Sequence, residues 1–377
     1  MHVAVVGGGI IGCLTACYLK RLGADVTVVE RGETGREASW AGAGILCPIH
    51  PWLYPDSFTE LVNASLALYP EFQRDIESQT GISIQRIESG LLIPCFASDR
   101  VDHWQAAIDW SQKFGWELEQ LDTSGTLKRE PTLSPDITRS LYWPNVGQLR
   151  NPRLLAAARL WMDQLGVATI EHAEVTGLLR NSDTVEGVLC ADGRKVASDQ
   201  VLLAGGSWSG ELARQMGFEL PVEPVKGQII LLKGKPGVMH SIVKHDDAYF
   251  VPRVDGHILV GASMEFVGFE RGVTDEVVDS LMDSMARIAP ELKSLQVEQK
   301  WMGFRPGSPD GMPFLGPVES VPGLWVASGH YRNGVALAPV TAEIMSHWMM
   351  GETPSMDLST FAVDRPVTNS PKVGFPA

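Results

Sequence analysis

Three glycines near the start of the chain have the spacing of a dinucleotide-binding loop. Gly7, Gly9 and Gly12 form G-x-G-x-x-G directly after the apolar run 2–6, and a second apolar run ends at Glu30. In such a loop the first glycine allows a tight turn, the second lets a pyrophosphate approach the backbone, and the third lets helix and strand pack closely. The free N–H groups at the start of the following helix attract phosphates. The spacing therefore predicts a dinucleotide site.

The residues around this loop narrow the choice of nucleotide. Glu30 can accept both hydroxyls of an adenosine ribose and would repel a 2′-phosphate, which argues against NADP. The stretch 38–46 is rich in Gly and Ala, so its backbone can lie against a long flat ligand, and Ser39 could bond phosphate or ribityl oxygens. The glycine loop alone does not separate NAD from FAD, and stretch 38–46 could also be an ordinary flexible loop.

Several apolar runs along the chain are predicted to form the strands and the helix that position the glycine loop. The buried run 201–204 ends in Gly205-Gly206, and the short strand 324–327 leads through a glycine-containing loop into a helical pattern from 335 to 350. Strands that end in glycines near the first loop would suit a ligand crossing the carboxyl edge of a parallel sheet. Asp255-Gly256 lies between two apolar runs, which is a strong hairpin signal and indicates a second, antiparallel sheet.

These patterns predict an α/β chain, α+β overall, in which a Rossmann-like nucleotide domain is interleaved with an antiparallel β-rich substrate domain. At roughly 150 residues per domain, 377 residues allow two to three domains. The predicted segments are 1–80, 145–225 and 300–365 for the nucleotide domain, 81–144 and 226–299 for the substrate domain, and 366–377 for a C-terminal tail.

Composition excludes several classes of function. The formal net charge of −14 disfavours nucleic acid or an anionic membrane as the main partner. The five cysteines show neither C-x-x-C nor metal-ligand spacing, so neither a disulfide framework nor a metal site is predicted. No run approaches the roughly 20 apolar residues of a spanning helix, and residues 1–12 lack the features of a signal peptide. We therefore expect no membrane span and a cytoplasmic location.

Five stretches together resemble the D-amino-acid-oxidase-like family of FAD-dependent oxidoreductases, most closely its glycine oxidases of thiamine biosynthesis. They are residues 7–31, 38–46, 204–209, 303–313 and 330–339, which lie in the family's order and span nearly the whole chain. The resemblance implies an FAD-dependent amino acid oxidase with a two-domain fold, a small amino acid as substrate, O2 as electron acceptor and a homo-oligomeric state, as a homotetramer.

The resemblance also assigns the substrate site. Tyr249, Arg305 and Arg332 match the residues that hold the substrate carboxylate over the flavin and are the predicted catalytic residues. A guanidinium can grip a carboxylate with two parallel hydrogen bonds, and a tyrosine hydroxyl can complete the grip. Ile45 and Met264 complete the predicted pocket. The alternatives are structural salt bridges for the arginines and plain core packing for Tyr249 and Met264.

Cofactor contacts follow from the same motifs. The bound FAD is expected to be non-covalent, because Met302-Gly303-Phe304-Arg305 stands where covalent relatives have a cysteine, and a helix from Asn333-Gly334 is expected to stabilise negative charge on the reduced ring. The predicted FAD-binding residues are Gly7, Gly9, Ile10, Ile11, Gly12, Glu30, Arg31, Ser39, Ala43, Gly44, Ile45, Val175, Ala204, Gly205, Trp208, Arg305, His330, Arg332, Asn333 and Gly334.

The expected reaction is oxidative deamination of glycine, with sarcosine and small D-amino acids as further substrates. Hydride would pass to flavin N5, and O2 would reoxidise the flavin, giving imine or glyoxylate, ammonia and H2O2 for the thiazole of thiamine. Alternatives are a D-amino acid dehydrogenase that passes electrons to a quinone and a non-catalytic flavin-binding subunit. Ahead of Tyr249, where the family can carry a second tyrosine, this chain has Lys244-His245-Asp246-Asp247, so the lid side of the pocket departs from the family's pattern.

Overall fold

The structure is a computed structural model that describes residues 1–48, 50–99, 103–181 and 184–370. Most of the predicted tail, residues 371–377, therefore lies outside the described residues. The strands in chain order are β1 His2–Val6, β2 Asp25–Val29, β3 Ile45–Leu46, β4 Ile87–Glu88, β5 Leu91–Phe96, β6 Glu119–Asp122, β7 Ile137–Trp143, β8 Gly147–Gln148, β9 Ala168–Ile170, β10 Val175–Asn181, β11 Thr184–Cys190, β12 Lys195–Ala197, β13 Gln200–Leu203, β14 Glu223–Lys233, β15 Ile242–His245, β16 Ala248–Pro252, β17 Ile258–Gly261, β18 Gln296–Gly307, β19 Phe314–Pro317 and β20 Leu324–Ser328.

Helices connect and cover these strands. They are α1 Ile10–Arg21, α2 Ala38–Ala41, α3 Asp56–Thr80, α4 Trp104–Phe114, α5 Thr123–Arg129, α6 Asn151–Leu165, α7 Ser209–Met216, α8 Asp275–Ile288 and α9 Ala338–Met349. Short 3₁₀ turns occupy Pro51–Leu53, Gly206–Trp208, Pro290–Leu292 and Ser359–Phe361.

A six-stranded sheet forms the nucleotide half of the molecule. Its order is β19-β20-β13-β1-β2-β9, and all neighbours are parallel except β19 and β20. Val3 and Val5 pack into the core shared with helices α1, α3, α6 and α9, whereas Ala4 and Val6 pack into a second core under the sheet β10-β11-β12 and helix α7. Both faces of β1 are thus buried, which explains why its sequence has no polar face.

An eight-stranded sheet forms the second half. Its order is β18-β14-β17-β16-β15-β5-β7-β6, antiparallel except between β15 and β5. Helix α8 covers one face, in a core that includes Phe250 and Met285. The opposite face contributes Tyr249, Val251 and Ile229 to another core. The alternation along β16 therefore directs Tyr249 away from α8 and toward the nucleotide half.

The predicted fold class is confirmed. The hairpin expected at Asp255-Gly256 joins β16 to β17, which pair antiparallel. Two strands cross proposed domain boundaries: β14, Glu223–Lys233, begins before residue 226, and its partner β18, Gln296–Gly307, begins before residue 300. The division into two interleaved domains remains our proposal, with β14 and β18 both belonging wholly to the eight-stranded sheet.

Candidate active site

The carboxyl ends of three neighbouring parallel strands bring the glycine loops together. β1, β13 and β20 are adjacent, so the residues that follow them meet at one sheet edge. Contact there is close, because a Cβ on Gly7 would lie 2.4 Å from the carbonyl oxygen of Ala204. A Cβ on Gly12 would lie 2.0 Å from the carbonyl oxygen of Gly7. Both glycines are therefore required by packing, and Gly7 also has φ = 112°.

Gly9 and Ser39 shape the start of helix α1. The Cβ position of Gly9 meets only the Ser39 Oγ, at 3.3 Å. That oxygen accepts a hydrogen bond from the Ile10 N–H at 3.0 Å. The Asn151 side chain donates its Nδ2–H to the Ser39 carbonyl at 2.7 Å, and its buried Oδ1 has no hydrogen-bond partner among the described residues. The loop thus presents backbone amides and an unused acceptor to the space beside it.

The first glycine loop lines a cavity of about 850 Å³, a volume that includes the solvent at its mouth. Glu30, only 9% exposed, lines it and accepts from the Gly8 and Gly32 N–H groups at 2.7 and 2.8 Å. Each carboxylate oxygen has a further lone pair for a ligand hydroxyl. The Arg31 guanidinium lies 3.8 Å from the centre of the Trp208 ring on the same wall. This first cavity can hold the adenosine end of a dinucleotide.

A second cavity, of about 1890 Å³ with its open mouth, continues from the first. The two share Gly9, Ala38, Ser39, Ala204 and Gly206 as lining residues. The predicted FAD-binding residues are distributed along both: the smaller is lined by Gly7, Gly9, Glu30, Arg31, Ser39, Val175, Ala204, Gly205 and Trp208, and the larger by Gly9, Ile10, Ile11, Ser39, Ala43, Gly44, Ile45, Ala204, Arg305, His330, Arg332 and Gly334.

The donors and acceptors of this double cavity fit FAD. The amides at the start of α1 suit a pyrophosphate, Glu30 suits a ribose, and the wide cavity beyond Ser39 has room for a flat ring system. Gly9 leaves its Cβ position free for close approach, and Asn151 Oδ1 offers a buried acceptor.

Tyr249 stands on the wall of the larger cavity that the eight-stranded sheet provides. Its ring lies over Gly261, where a Cβ would come within 2.7 Å of the Tyr249 hydroxyl. Burial raises the pKa of the Tyr249 phenol, while the positive charge of Arg305 opposes this rise. The hydroxyl is therefore protonated at neutral pH and can donate a hydrogen bond to a ligand.

Arg305 lies against the backbone of the neighbouring strand. A Cβ on Gly227 would fall 2.4 Å from Arg305 Nη1, so glycine is needed to admit the guanidinium. Nη1 donates to the carbonyls of Ser263 and Lys226 at 3.0 and 3.4 Å. No carboxylate of the described residues lies within 4.0 Å of the Arg305 guanidinium, so the structural salt bridge considered above is absent from this part of the chain.

Arg332 closes the same cavity from the loop after β20. Its Nη2 donates to Met264 Sδ at 2.9 Å and to the Tyr331 hydroxyl at 3.4 Å. The guanidinium also lies 4.7 Å from the centre of the Tyr331 ring. Within the described ranges it has no acidic partner either. Met264 is 39% exposed, so it is a cavity wall residue and not a core methionine.

Two histidines on this cavity are neutral. Burial lowers the pKa of His330 to about 3, and its Nε2 is 3.1 Å from the Thr341 hydroxyl. Burial, helped by the charges of Lys244 and Arg332, lowers the pKa of His50 to about 3 as well. Neither imidazole therefore adds positive charge to the site at neutral pH.

Two predicted cofactor residues, Gly12 and Asn333, do not line either cavity. Gly12 instead packs against Gly7, and Asn333 is buried in a turn, where its N–H donates to the His330 carbonyl and its carbonyl accepts from the Leu337 N–H. The last helix, α9, begins at Ala338 and not at Asn333-Gly334, because the chain first makes these turns. Its dipole therefore starts four residues later in the chain than Gly334, where the sequence places it.

Sequence reasoning did not single out Gly227, Ser263, His50 or Asn151 as site residues. The first two are recognised only once the register of β14 against β18 and the path of the loop after β17 are known. Asn151 begins a helix with proline at its second position, which signals a helix start and nothing about a ligand.

The described residues contain neither a helix that could span a membrane nor a cluster of metal ligands. No helix there is both long and apolar enough to cross a bilayer. Likewise, no group of three or more His, Cys, Asp or Glu residues there could hold a metal ion.

Comparisons with known proteins agree with this geometry. The family model described as FAD dependent oxidoreductase, DAO, matches residues 2–348. The glycine oxidase of Pseudomonas aeruginosa is 41% identical over 362 residues, covering 96% of this chain and 98% of the relative, and that of Pseudomonas putida is 39% identical with the same coverage. The crystal structure of glycine oxidase from Geobacillus kaustophilus superposes with a TM-score of 0.91 at 28% identity, covering 97% of this chain and 98% of that one. The predictions of family, FAD cofactor and enzyme class are thereby confirmed: the chain belongs to the DAO family of FAD-dependent oxidoreductases.

Proposed function

We propose that this enzyme catalyses the oxidative deamination of glycine, with sarcosine and small D-amino acids as further substrates. The observation that carries the proposal is that Tyr249, Arg305 and Arg332 share a cavity with the amino end of α1, while neither arginine has a carboxylate partner among the described residues. The names of the full-length relatives support glycine as the first substrate to test.

The two arginines and the tyrosine are the groups that bind the substrate carboxylate in this proposal. Among the described residues, Arg305 donates from one nitrogen to two backbone carbonyls, and Arg332 donates to a sulfur and a hydroxyl. Charge-assisted bonds from these guanidinium groups would fix the carboxylate, and the Tyr249 hydroxyl would donate a further bond. Fixing the carboxylate also fixes the α-carbon, which is the positional contribution that this reaction requires of the protein.

Bound FAD would supply the acceptor for a hydride from the substrate α-carbon and the route for two electrons to O2. The protein need not provide a strong base at the α-carbon, and the larger cavity offers only the exposed Asp247 as a carboxylate among its described lining residues. Glycine, O2 and water would yield glyoxylate, ammonia and H2O2, unless the imine is used directly for the thiazole of thiamine. Non-covalent FAD, a homotetramer and a cytoplasmic location are part of the same proposal.

An anaerobic flavin spectrum tests the proposal directly. The purified protein saturated with FAD should lose its absorption band near 450 nm when glycine is added without oxygen, and admission of air should restore the band. A band that does not change with glycine would refute glycine oxidation, even if FAD is bound.

The electron acceptor requires a second measurement. Oxygen consumption with stoichiometric peroxide would support an oxidase, whereas reduction of a quinone analogue without oxygen uptake would favour the dehydrogenase. Absence of any turnover with bound flavin would favour a non-catalytic subunit.

A further inference from the structure

A side chamber opens from the larger cavity beside Tyr249. It has an aromatic wall formed by Trp52, Trp110 and Trp143, and its internal volume of about 20 Å³ is room for about one water molecule. Ile45, Cys47, His50, Lys244 and Tyr249 line both this chamber and the larger cavity, so the two are continuous. A ligand would therefore reach Lys244 from the larger cavity, which this residue also lines.

Lys244 stands at the junction of the two spaces. On β15 it lies directly opposite Tyr249 of β16, so both side chains project from the same face of the sheet. Its side chain is about 95% buried, being 5% exposed. The ammonium donates to the backbone carbonyl of Asp246, which leaves two of its three N–H groups for another partner.

This lysine differs from the other buried lysine of the described chain. Lys226, 2% exposed, forms an ion pair with Glu265 at 3.6 Å. For Lys244 no described carboxylate lies within 4.0 Å of the ammonium. The carboxylates of Asp247 and Asp246 act on this ammonium only from beyond 4.0 Å. A buried charge without an opposite charge in contact is costly, so a ligand carboxylate there would stabilise it. Burial lowers the pKa of Lys244 to about 8, which still leaves the ammonium charged at pH 7.

A second buried donor, on Trp52, also lacks a partner among the described residues. The indole Nε1–H of Trp52, on the wall of the side chamber, is buried without an acceptor among the described residues. His50, beside it, is neutral and its ring lies 5.3 Å from that of Trp52. The described lining of the chamber therefore holds one cation, one unused N–H donor and no anion.

We propose that Lys244, at the junction of the larger cavity and the side chamber, forms a second anion subsite, which selects small amino acids that carry a second carboxylate on a substituent of the amine or of the α-carbon. In this arrangement Arg305 and Arg332 bind the α-carboxylate, and the Lys244 ammonium binds the distal one. The inference rests on the proposed function for its turnover assay, but its binding assay is independent of turnover.

The turnover assay compares each acid with its neutral amide. The pairs are D-aspartate with D-asparagine and N-carboxymethylglycine with its monoamide, which have nearly equal size. We expect wild-type kcat/KM to favour the acid, and Lys244→Met to lower the acid-to-amide ratio by about 10- to 100-fold, the effect of losing one charge-assisted bond. Exposed Lys293 provides the control variant, Lys293→Met, which should keep the wild-type ratio. The two pairs distinguish an amine substituent from an α-carbon substituent.

The binding assay uses ligands that cannot be oxidised. Diglycolate and its monoamide have an ether oxygen in place of the amine, and their affinities for the FAD-saturated protein can be measured by calorimetry. Diglycolate should bind at least about 10-fold more tightly than the amide to wild type, and Lys244→Met or Lys244→Gln should abolish the difference. Equal affinities in wild type, or a preference that survives both substitutions, would overturn the subsite. Failure of glycine oxidation with this preference intact would refute the proposed function alone.

Discussion

The buried Lys244 should give the protein a stability that rises with alkaline pH, and Lys244→Met should remove that rise. Burial lowers the pKa of this lysine from its ordinary value of 10.5 to about 8, the charge of Arg332 lowers it further, and the carboxylates of Asp247 and Asp246 raise it. At 1.36 kcal/mol for each pKa unit, the difference corresponds to about 3 kcal/mol between the charged and the neutral lysine in the folded state.

The direction follows from proton binding. Below pH 8 the lysine is charged in both states, and the folded state bears the full cost of its burial. Between pH 8 and 10.5 the folded lysine releases its proton while the unfolded one retains it, so the free energy of unfolding rises with pH. From pH 7 to pH 10 we expect a gain of about 2.5 kcal/mol in wild type from this residue. Methionine has a similar length and no charge, so the variant should lack this gain.

Urea unfolding of the FAD-saturated protein, followed by tryptophan fluorescence at pH 7 and pH 10, measures the effect. Lys244→Met should be more stable than wild type at pH 7, and its advantage should fall by about 2.5 kcal/mol at pH 10. Lys293→Met, at an exposed position, should differ from wild type equally at both pH values. The reasoning is refuted if the difference between Lys244→Met and wild type is the same at pH 7 and pH 10.

Three further substitutions test the double cavity and the residues that line it. Gly7→Ala places a Cβ 2.4 Å from a carbonyl oxygen and should yield protein that no longer retains FAD. In the control variant Gly177→Ala the new Cβ has no atom within 4 Å, so this protein should retain FAD. The ratio of flavin to protein absorbance measures both outcomes. Arg332→Ala should raise the KM for glycine about 10- to 100-fold with flavin still bound, and an unchanged KM would remove this arginine from the proposed site. Gly261→Ala places a Cβ 2.7 Å from the Tyr249 hydroxyl and should lower kcat/KM for glycine about 10-fold or more by displacing that ring; an unaltered value in steady-state assays would show that the tyrosine position is not critical.

The glycine loops at the edge of the six-stranded sheet could be predicted because their sequence signals are local. Gly7, Gly9 and Gly12 are specified by spacing within one strand-loop-helix unit, and the runs that end at 203 and 328 are buried strands with glycines after them. The start of α9 could not be predicted in the same way. The apolar helical pattern extends back to Val335, but the hydrogen bonds of the preceding turns make Ala338 the first residue of the helix.

The substrate side depends on pairings that local patterns do not encode. Tyr249 and Lys244 face each other because β15 and β16 pair in one particular register, and Arg305 fits because Gly227 lies on the adjacent strand. A shift of one residue in either register would turn these side chains to the opposite face of the sheet. The resemblance supplied the tyrosine and the arginines, but the burial of Lys244 is known only from the assembled sheet.

The strand order of the nucleotide sheet also determines when the cofactor site can exist during synthesis. β1 pairs with β2 early in the chain, but its other neighbour is β13, where Val3 lies opposite Gln200, and the other neighbour of β13 is β20, which begins at Leu324. At about 5–20 residues per second, a ribosome needs on the order of tens of seconds to pass from the first of these strands to the last. Until the end of that interval the larger cavity lacks the wall that His330 and Arg332 provide, so the complete cofactor site exists only in a nearly completed chain.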